Sequence, residues 1–569
     1  MSTYRLRAVS GVAALTVVAL APAAAFAAGT GATAHGFSAA SAAANAKAFQ
    51  RAGFTTYKSP ASKSVVVHSS ARAAASATSS ATTTPAVALA AVALSALSVQ
   101  LTSSFTWPET ATLSGTIDWG DGTASSTFSS ASGASSVESH SYAKPGTYTI
   151  TETVTDGTTT VSNTDAFTTA GNDYTADGPT RLLDTRTTTG GHDAPVTRDQ
   201  TVKVKIAGNG DIPSDVTAVV LNLTATNSTR SGNVTAYDDG DAGGVPETSN
   251  VNYGKGTTTA NLAVVPVGAD GYIDLYNSMA TAGSVDLIAD VEGYFTATEA
   301  SGYSSLTDPY RLLDTRTTTG GHDGQVTPGS TVQVQVAGAD AELPSTGITA
   351  VSVNITVTNT QGGGFLTAYA DGASTVPTAS NINFGKGGTV ANADIVPVGS
   401  DGEIDIHNGE VVGSGVEVIV DVNGYYSADG ASSYVPIEPI RLEDTRQDGD
   451  TLGEGEYLPL PLGIGVDSTG NLVYDPSYTS FVLNATVTNT KSAGFLTVAP
   501  DPNSISAYEA GTQVAPTPPN ISTLNWTAGQ TVPNLVQAGT GSTGIVDFFN
   551  RGTRNADLVV DMFGFYQND

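Results

Sequence analysis

Three short runs in this 569-residue chain hold the charged residues that chemistry requires at a fixed spacing. Arg181-Leu-Leu-Asp-Thr-Arg186 returns at equal intervals as Arg311-Leu-Leu-Asp-Thr-Arg316 and Arg441-Leu-Glu-Asp-Thr-Arg446. Each repeat closes on an aspartate set in an apolar strand: Asp290-Val-Glu-Gly-Tyr-Phe295, Asp421-Val-Asn-Gly-Tyr-Tyr426 and Asp561-Met-Phe-Gly-Phe-Tyr566. A lone carboxylate there is costly to bury and needs donors. The opening run supplies them, which groups Arg181, Asp184, Arg186 with Asp290, then Arg311, Asp314, Arg316 with Asp421, then Arg441, Asp444, Arg446 with Asp561. Two chemistries fit: a structural ion network, or a catalytic carboxylate pair. The structural reading is preferred, because ion networks also gather perturbed carboxylates. Strand parity puts Leu182, Asp184 and Arg186 on one face and Arg181 on the other. Glu443 stands where the first repeat has Leu183, which predicts that this face tolerates water.

A second recurring set pairs an amide with a ring: Asn252 with Tyr253, Asn383 with Phe384, Asn525 with Trp526. Asn offers a donor and an acceptor to sugar hydroxyls, and a ring offers an apolar face. These are the candidate ligand-binding residues, although packing explains the rings as well. Asp274, Asp405 and Asp547 also recur, each followed two residues later by Tyr276, His407 or Phe549. A position that accepts all three rings is not a general base.

Other chemistry is sparse. The chain has no cysteine, so disulfides, thiolate metal sites and thiol catalysis are excluded. His192 and His322 stand in separate Gly-Gly-His-Asp turns and do not form a metal site with ligand spacing. Asp238-Asp-Gly-Asp241 lacks the twelve-residue calcium-loop pattern. No cofactor is expected; calcium would be gathered weakly. Nucleophile-elbow, zinc-protease and phosphate-loop motifs are missing, so no catalytic residue is assigned. Lys and Arg total 23 against 53 Asp and Glu, a formal charge of −30. That balance disfavours nucleic acid and anionic lipid.

The elements that must position these residues read as strands. Short alternating runs are separated by Gly, Asn and Asp turns, with no convincing helical period. Leu221-Asn-Leu-Thr-Ala-Thr-Asn227 places apolar residues on one face and Asn222, Thr224 and Thr226 on the other. The expected fold is all-β and multidomain: one immunoglobulin-like β-sandwich, then three homologous β-sandwich or barrel modules. Residues 1–27 read as a secretory signal, 28–84 as a disordered Ala/Ser/Thr-rich stalk, and 85–171 as the smaller domain. The modules span 172–297, 302–428 and 433–569; the third lacks Gly-Gly-His and has an insert near 501–519.

Two resemblances add to this reading. Trp119-Gly-Asp-Gly122, His140-Ser-Tyr142 and Pro145-Gly-Thr-Tyr148 resemble the polycystic kidney disease (PKD) domain family. That implies an immunoglobulin-like spacer or binding module of extracellular proteins. The Arg-Leu-Leu-Asp-Thr-Arg opening and Asp-Val-x-Gly-Tyr-Phe close resemble a repeat of secreted actinobacterial surface proteins, often beside carbohydrate-active or adhesive domains. The expectation is a secreted, non-enzymatic binding or adhesion protein, extracellular or loosely held on the cell wall, without membrane insertion. Its expected partner is a cell-wall or environmental polysaccharide. The alternatives are a polysaccharide-active enzyme of glycoside hydrolase type, its site in one divergent module, above all the third, or a structural matrix protein.

Overall fold

The computed structural model describes residues 33–34, 54–68 and 83–568, apart from 241–243, 411–412, 414, 449–450, 468 and 470. The expected signal, 1–27, lies outside these residues. The described chain is almost wholly β, with two short α-helices at Thr445–Asp448 and Ile505–Ala510 and one 3-10 turn. It divides into two compact units.

The smaller unit, 53–173, is a sandwich of two antiparallel sheets. One sheet runs Thr56–Ser59, Ala86–Ala93, Ser98–Thr106, Ser135–Ser141. The other runs Val65–His68, Thr159–Thr168, Thr147–Thr155, Thr112–Asp118, Ser126–Ala131. Two of these strands fall inside the segment expected to be a disordered stalk. Tyr57 and the Val65-Val-Val67 run give that stretch enough apolar and β-branched side chain to join the sheets; Tyr57 and Val66 pack on the core. The Trp-Gly-Asp-Gly, His-Ser-Tyr and Pro-Gly-Thr-Tyr segments converge. His140 stacks on Trp119 at 4.9 Å, Tyr142 stacks on Tyr148 at 3.9 Å, and His140 Nε2 lies 2.7 Å from Asp121. Burial pushes the Asp121 carboxyl up, but hydrogen bonds from Thr123 and His140 prevail and bring it down to about 2.

In the larger unit each module is a two-sheet sandwich. The inner sheet of module 1 runs Asp173–Asp184, Ser284–Thr296, Val216–Thr226, Thr259–Pro266. Its outer sheet runs Gln200–Lys205, Tyr272–Met279, Gly232–Asp238, Val251–Tyr253. Modules 2 and 3 repeat this order; in module 3, Thr33–Ala34 adds a parallel strand beside Glu456 and Tyr457. Outer strands alternate buried and exposed, as a half-solvated sheet must. Inner strands are buried on both faces.

The second inner face is covered by the other modules. Tyr174, Phe295, Tyr303, Tyr426, Tyr434 and Tyr566, two from each module, form one buried aromatic cluster with Val220, Leu262, Ile395 and Leu535. Tyr303 and Tyr566 rings lie 4.4 Å apart, Phe295 and Tyr434 4.5 Å, Tyr174 and Tyr426 4.5 Å. This accounts for the invariant glycine of the closing motif. A Cβ at Gly293, Gly424 or Gly564 would collide with the ring of Tyr174, Tyr303 or Tyr434.

Polar contacts circle the same seams. Asn222 Nδ2 donates to the Ser380 carbonyl, Asn354 to that of Ser522 at 2.6 Å, and Asn484 to that of Ser249 at 2.6 Å. Asn392 donates to Asn222 Oδ1 at 3.1 Å, Asn534 to Asn354 at 2.8 Å, and Asn261 to Asn484 at 2.9 Å. Module 1 touches 2, 2 touches 3, and 3 touches 1, so one chain closes a pseudo-threefold ring. The face of Asn222 and Thr224, which alternation left opposite the apolar one, is buried in a seam.

Candidate functional site

The recurring charges come together. Arg181 Nε lies 2.8 Å from Asp290 Oδ1 and its Nη2 3.0 Å from Oδ2; Nη1 reaches Asp184 at 3.3 Å, and Arg186 Nη2 reaches Asp184 at 2.7 Å. Module 2 repeats this with Arg311 at 2.8 Å from Asp421, and Arg316 at 2.7 Å from Asp314. In module 3 Arg441 lies 2.7 Å from Asp561, and Arg446 2.6 Å from Asp444. A register shift between Arg311 and Leu313, and between Arg441 and Glu443, cancels simple parity. The bulge therefore turns arginine and the aspartate three residues on toward the same side. Glu443, expected to face water, is buried, and its carboxylate accepts from the Asp444 amide at 3.1 Å.

Burial raises the Asp290, Asp421 and Asp561 carboxyls despite their arginines, whereas Arg186, Arg316 and Arg446 help hold Asp184, Asp314 and Asp444 down. Asp290, Asp421 and Asp561 are at most 1% exposed. Each carboxylate is thus enclosed and held by an arginine, as a buried ion network requires. Module 3 ties its network to a neighbour: Ser249 N–H donates to Asp561 at 3.1 Å, and Arg441 Nη2 to the Glu247 carbonyl at 2.9 Å.

The aromatic candidates are corrected. Tyr253, Phe384 and Trp526 are 3%, 7% and 4% exposed, and Tyr253 and Phe384 belong to their modules' sandwich cores. A ring already packed on both faces cannot stack on a sugar. Their partners Asn252, Asn383 and Asn525 turn back to Ser249, Ser380 and Ser522 at 3.0, 3.2 and 3.3 Å.

A different place on module 2 is open. Gly320, Gly321, His322, Thr331, Val332, Gln333 and Asp405 line a cleft of about 420 Å³ beside the outer-sheet edge. The Gly-Gly-His turn forms one wall, and strand Thr331–Gln335 with its neighbour Glu403–Asn408 forms the other. Register sets Gln333 opposite Asp405 and Thr331 opposite His407, whose Nδ1 lies 3.1 Å from the Thr331 hydroxyl. Asp405 Oδ1 is shielded and unpaired. Burial, then the negative charge of Asp371, raises its carboxyl to about 6. Asp371, Asp401 and Glu403 bring carboxylate oxygens within 4.8 Å of one another beside it.

The other modules carry variants of these positions. In module 1 they are His192, Thr201, Lys203 and Asp274, with Lys203 opposite Asp274 and ion-paired to Asp239. In module 3 Pro459 stands opposite Asp547. The insert's helix Ile505–Ala510 brings Tyr508 down, where its hydroxyl donates to Asp501 and lies 3.2 Å from that of Tyr457. Asp547 is fully buried there, its carboxyl pushed well up by burial and by Asp501. The third position is closed, the first carries a lysine, and the second is an open acidic cleft. No protein-family model and no curated protein matches this chain. Sequence reasoning refuses a general-base role to the ring position of Tyr276, His407 and Phe549 and assigns none to the aspartates before it; the place of Asp405 in a cleft depends on the distant Gly-Gly-His turn, which spacing alone does not connect to it.

Among the described residues no helix is long and apolar enough to cross a membrane.

Proposed function

We propose that this is a secreted, non-enzymatic binding or adhesion protein. Its ligand is a neutral polyhydroxylated chain, a cell-wall or environmental polysaccharide, and its principal seat is the module 2 cleft. The observation that supports this reading is the lining: His322 on one wall and Thr331, Gln333 and Asp405 on the other bring donors and acceptors to one solvent-open cleft. Paired donors and acceptors suit vicinal hydroxyls. The other two modules close the ring and hold that wall rigid. The acidic rim gathers cations such as calcium weakly.

A hydrolase is the second reading, favoured by Asp405 with its carboxyl near 6 beside a second carboxylate. Asp405 and Asp371 stand within hydrogen-bond reach of each other. Glycosidase pairs need a separation of about 5 Å or more. In module 3, the module where an enzyme site was most expected, Asp501 and Asp547 are buried.

The test uses the whole mature chain on insoluble cell walls and purified polysaccharides. Asp405→Asn and His322→Ala should each weaken binding about tenfold, the loss of roughly 1.4 kcal/mol. Tyr508→Phe should leave binding unchanged. Reducing sugar released by the wild type and lost in Asp405→Asn would overturn the binding reading.

A further inference from the structure

The seam between modules 1 and 2 holds two acids that its counterparts lack. Glu292, on Ser284–Thr296, and Asp394, on Val390–Pro397, are 1% and 2% exposed. The Asn381 amide contacts Glu292 at 3.4 Å and also reaches Asp394. Neither Asp394 oxygen makes a well-formed hydrogen bond, although the Ile395 N–H and this amide stand near. At the matching places the other two seams carry Asn423 with Val536, and Phe563 with Ala263.

Among the described residues no cation balances the pair. The strand of Asp394, Val390–Pro397, packs against strands Thr259–Pro266, Ser284–Thr296, Ile348–Thr358, Gly364–Ala370, Ile382–Phe384, Leu524–Trp526 and Val532–Gly539, and none contains a lysine, arginine or histidine. The titratable groups on or beside them are Tyr369, Tyr294, Asp286, Asp290, Glu292 and Tyr174. Arg181, on the strand beside Glu292, is already bound to Asp290 and Asp184. Tyr174 spends its hydroxyl on the Glu292 carbonyl at 2.8 Å.

We propose that Glu292 and Asp394 are a proton-operated lock on the module 1–module 2 seam, closed when the acids are protonated and strained when both ionise. A dry seam favours the neutral carboxyl, whereas two anions there are poorly solvated and repel. Burial raises both groups, Asp394 to about 7 against hydrogen bonds from the Ile395 N–H and the Asn381 amide, and the charge of Asp394 raises Glu292 further. In the unfolded chain both would ionise in the ordinary carboxylate range. The folded state therefore binds more protons between that range and about 7, and its stability falls as pH rises through this window. The other seams have no such pair, so the weakening is local. An extracellular protein meets such pH changes directly, and this seam flanks the module that carries the open cleft.

The experiment compares thermal unfolding of the mature wild type, Asp394→Asn and Glu292→Gln from pH 5 to pH 8. Wild type should lose several degrees of Tm over this range. Both variants should lose clearly less and melt above wild type at pH 8. Hydrogen exchange at pH 8, corrected for intrinsic rate, should show Ser284–Thr296 and Val390–Pro397 less protected relative to Val532–Gly539 than at pH 5. Variants whose Tm follows pH in parallel with wild type would overturn the proposal. So would a wild-type Tm at pH 8 that drops on adding EDTA, since a bound cation would then balance the acids.

Discussion

Asp561→Ala should destabilise the three-module body by about 4 kcal/mol, because removing one partner of a buried ion pair leaves the other charge without compensation. Arg441 has only 11% of its side chain exposed, and its carboxylate partner also satisfies the Ser249 N–H from module 1. The loss therefore reaches an intermodule seam as well as one sandwich. Asp290→Ala should cost less, about 2–3 kcal/mol, since Arg181 is 26% exposed and retains Asp184. Urea unfolding of the mature protein measures both. The order Asp561→Ala, then Asp421→Ala, then Asp290→Ala follows the arginine exposures of 11%, 20% and 26%. Equal melting of all three variants with wild type would mean that these carboxylates are solvated and would reopen a chemical role for them.

The larger effect comes from cutting the ring. Module 1 expressed alone would expose Tyr174, Val220, Leu262, Val264 and Phe295, all fully buried in the shared cluster. At about 1.5–3 kcal/mol for each large apolar side chain, the loss is on the order of 10 kcal/mol. That equals the whole stability of an ordinary domain. Residues 172–297 alone should aggregate or fail to give a cooperative transition, while 172–569 should stay soluble and fold. A single module that melts cooperatively as a monomer would show that the modules do not depend on one another.

The sandwich of each module was legible because alternation, turn residues and threefold repetition all agree. The ion networks were legible for a related reason: a charge inside an apolar strand must find its counter-charge, and Arg181 and Asp290 occupy the two ends of one repeat. Parity failed at the bulges near Leu312 and Leu442, where an extra residue turns Asp314 toward Arg311 and Asp444 toward Arg441. Polarity failed at Asn222, Asn354 and Asn484. A polar strand face reads as solvated, yet each amide is held in a seam by a carbonyl of the next module. Repetition offered the missing signal, since three copies that all keep an amide at one strand position are meeting the same partner. The rings of Tyr253, Phe384 and Trp526 were ambiguous between packing and binding, and burial decides for packing. The cleft at Asp405 was hidden because its two walls are far apart in sequence. The strands at 56–59 and 65–68 were lost in an Ala/Ser/Thr-rich background, where a few β-branched residues were enough to complete two sheets.

Closure of the ring is the claim on which the rest depends, and small-angle X-ray scattering of residues 172–569 tests it most directly. Three modules closed around one aromatic core should give a radius of gyration near that of a single compact body of this length, about 21 Å. Modules strung along the chain like beads, each folded alone, would give a value well above this, on the order of 30 Å or more, and would contradict the account.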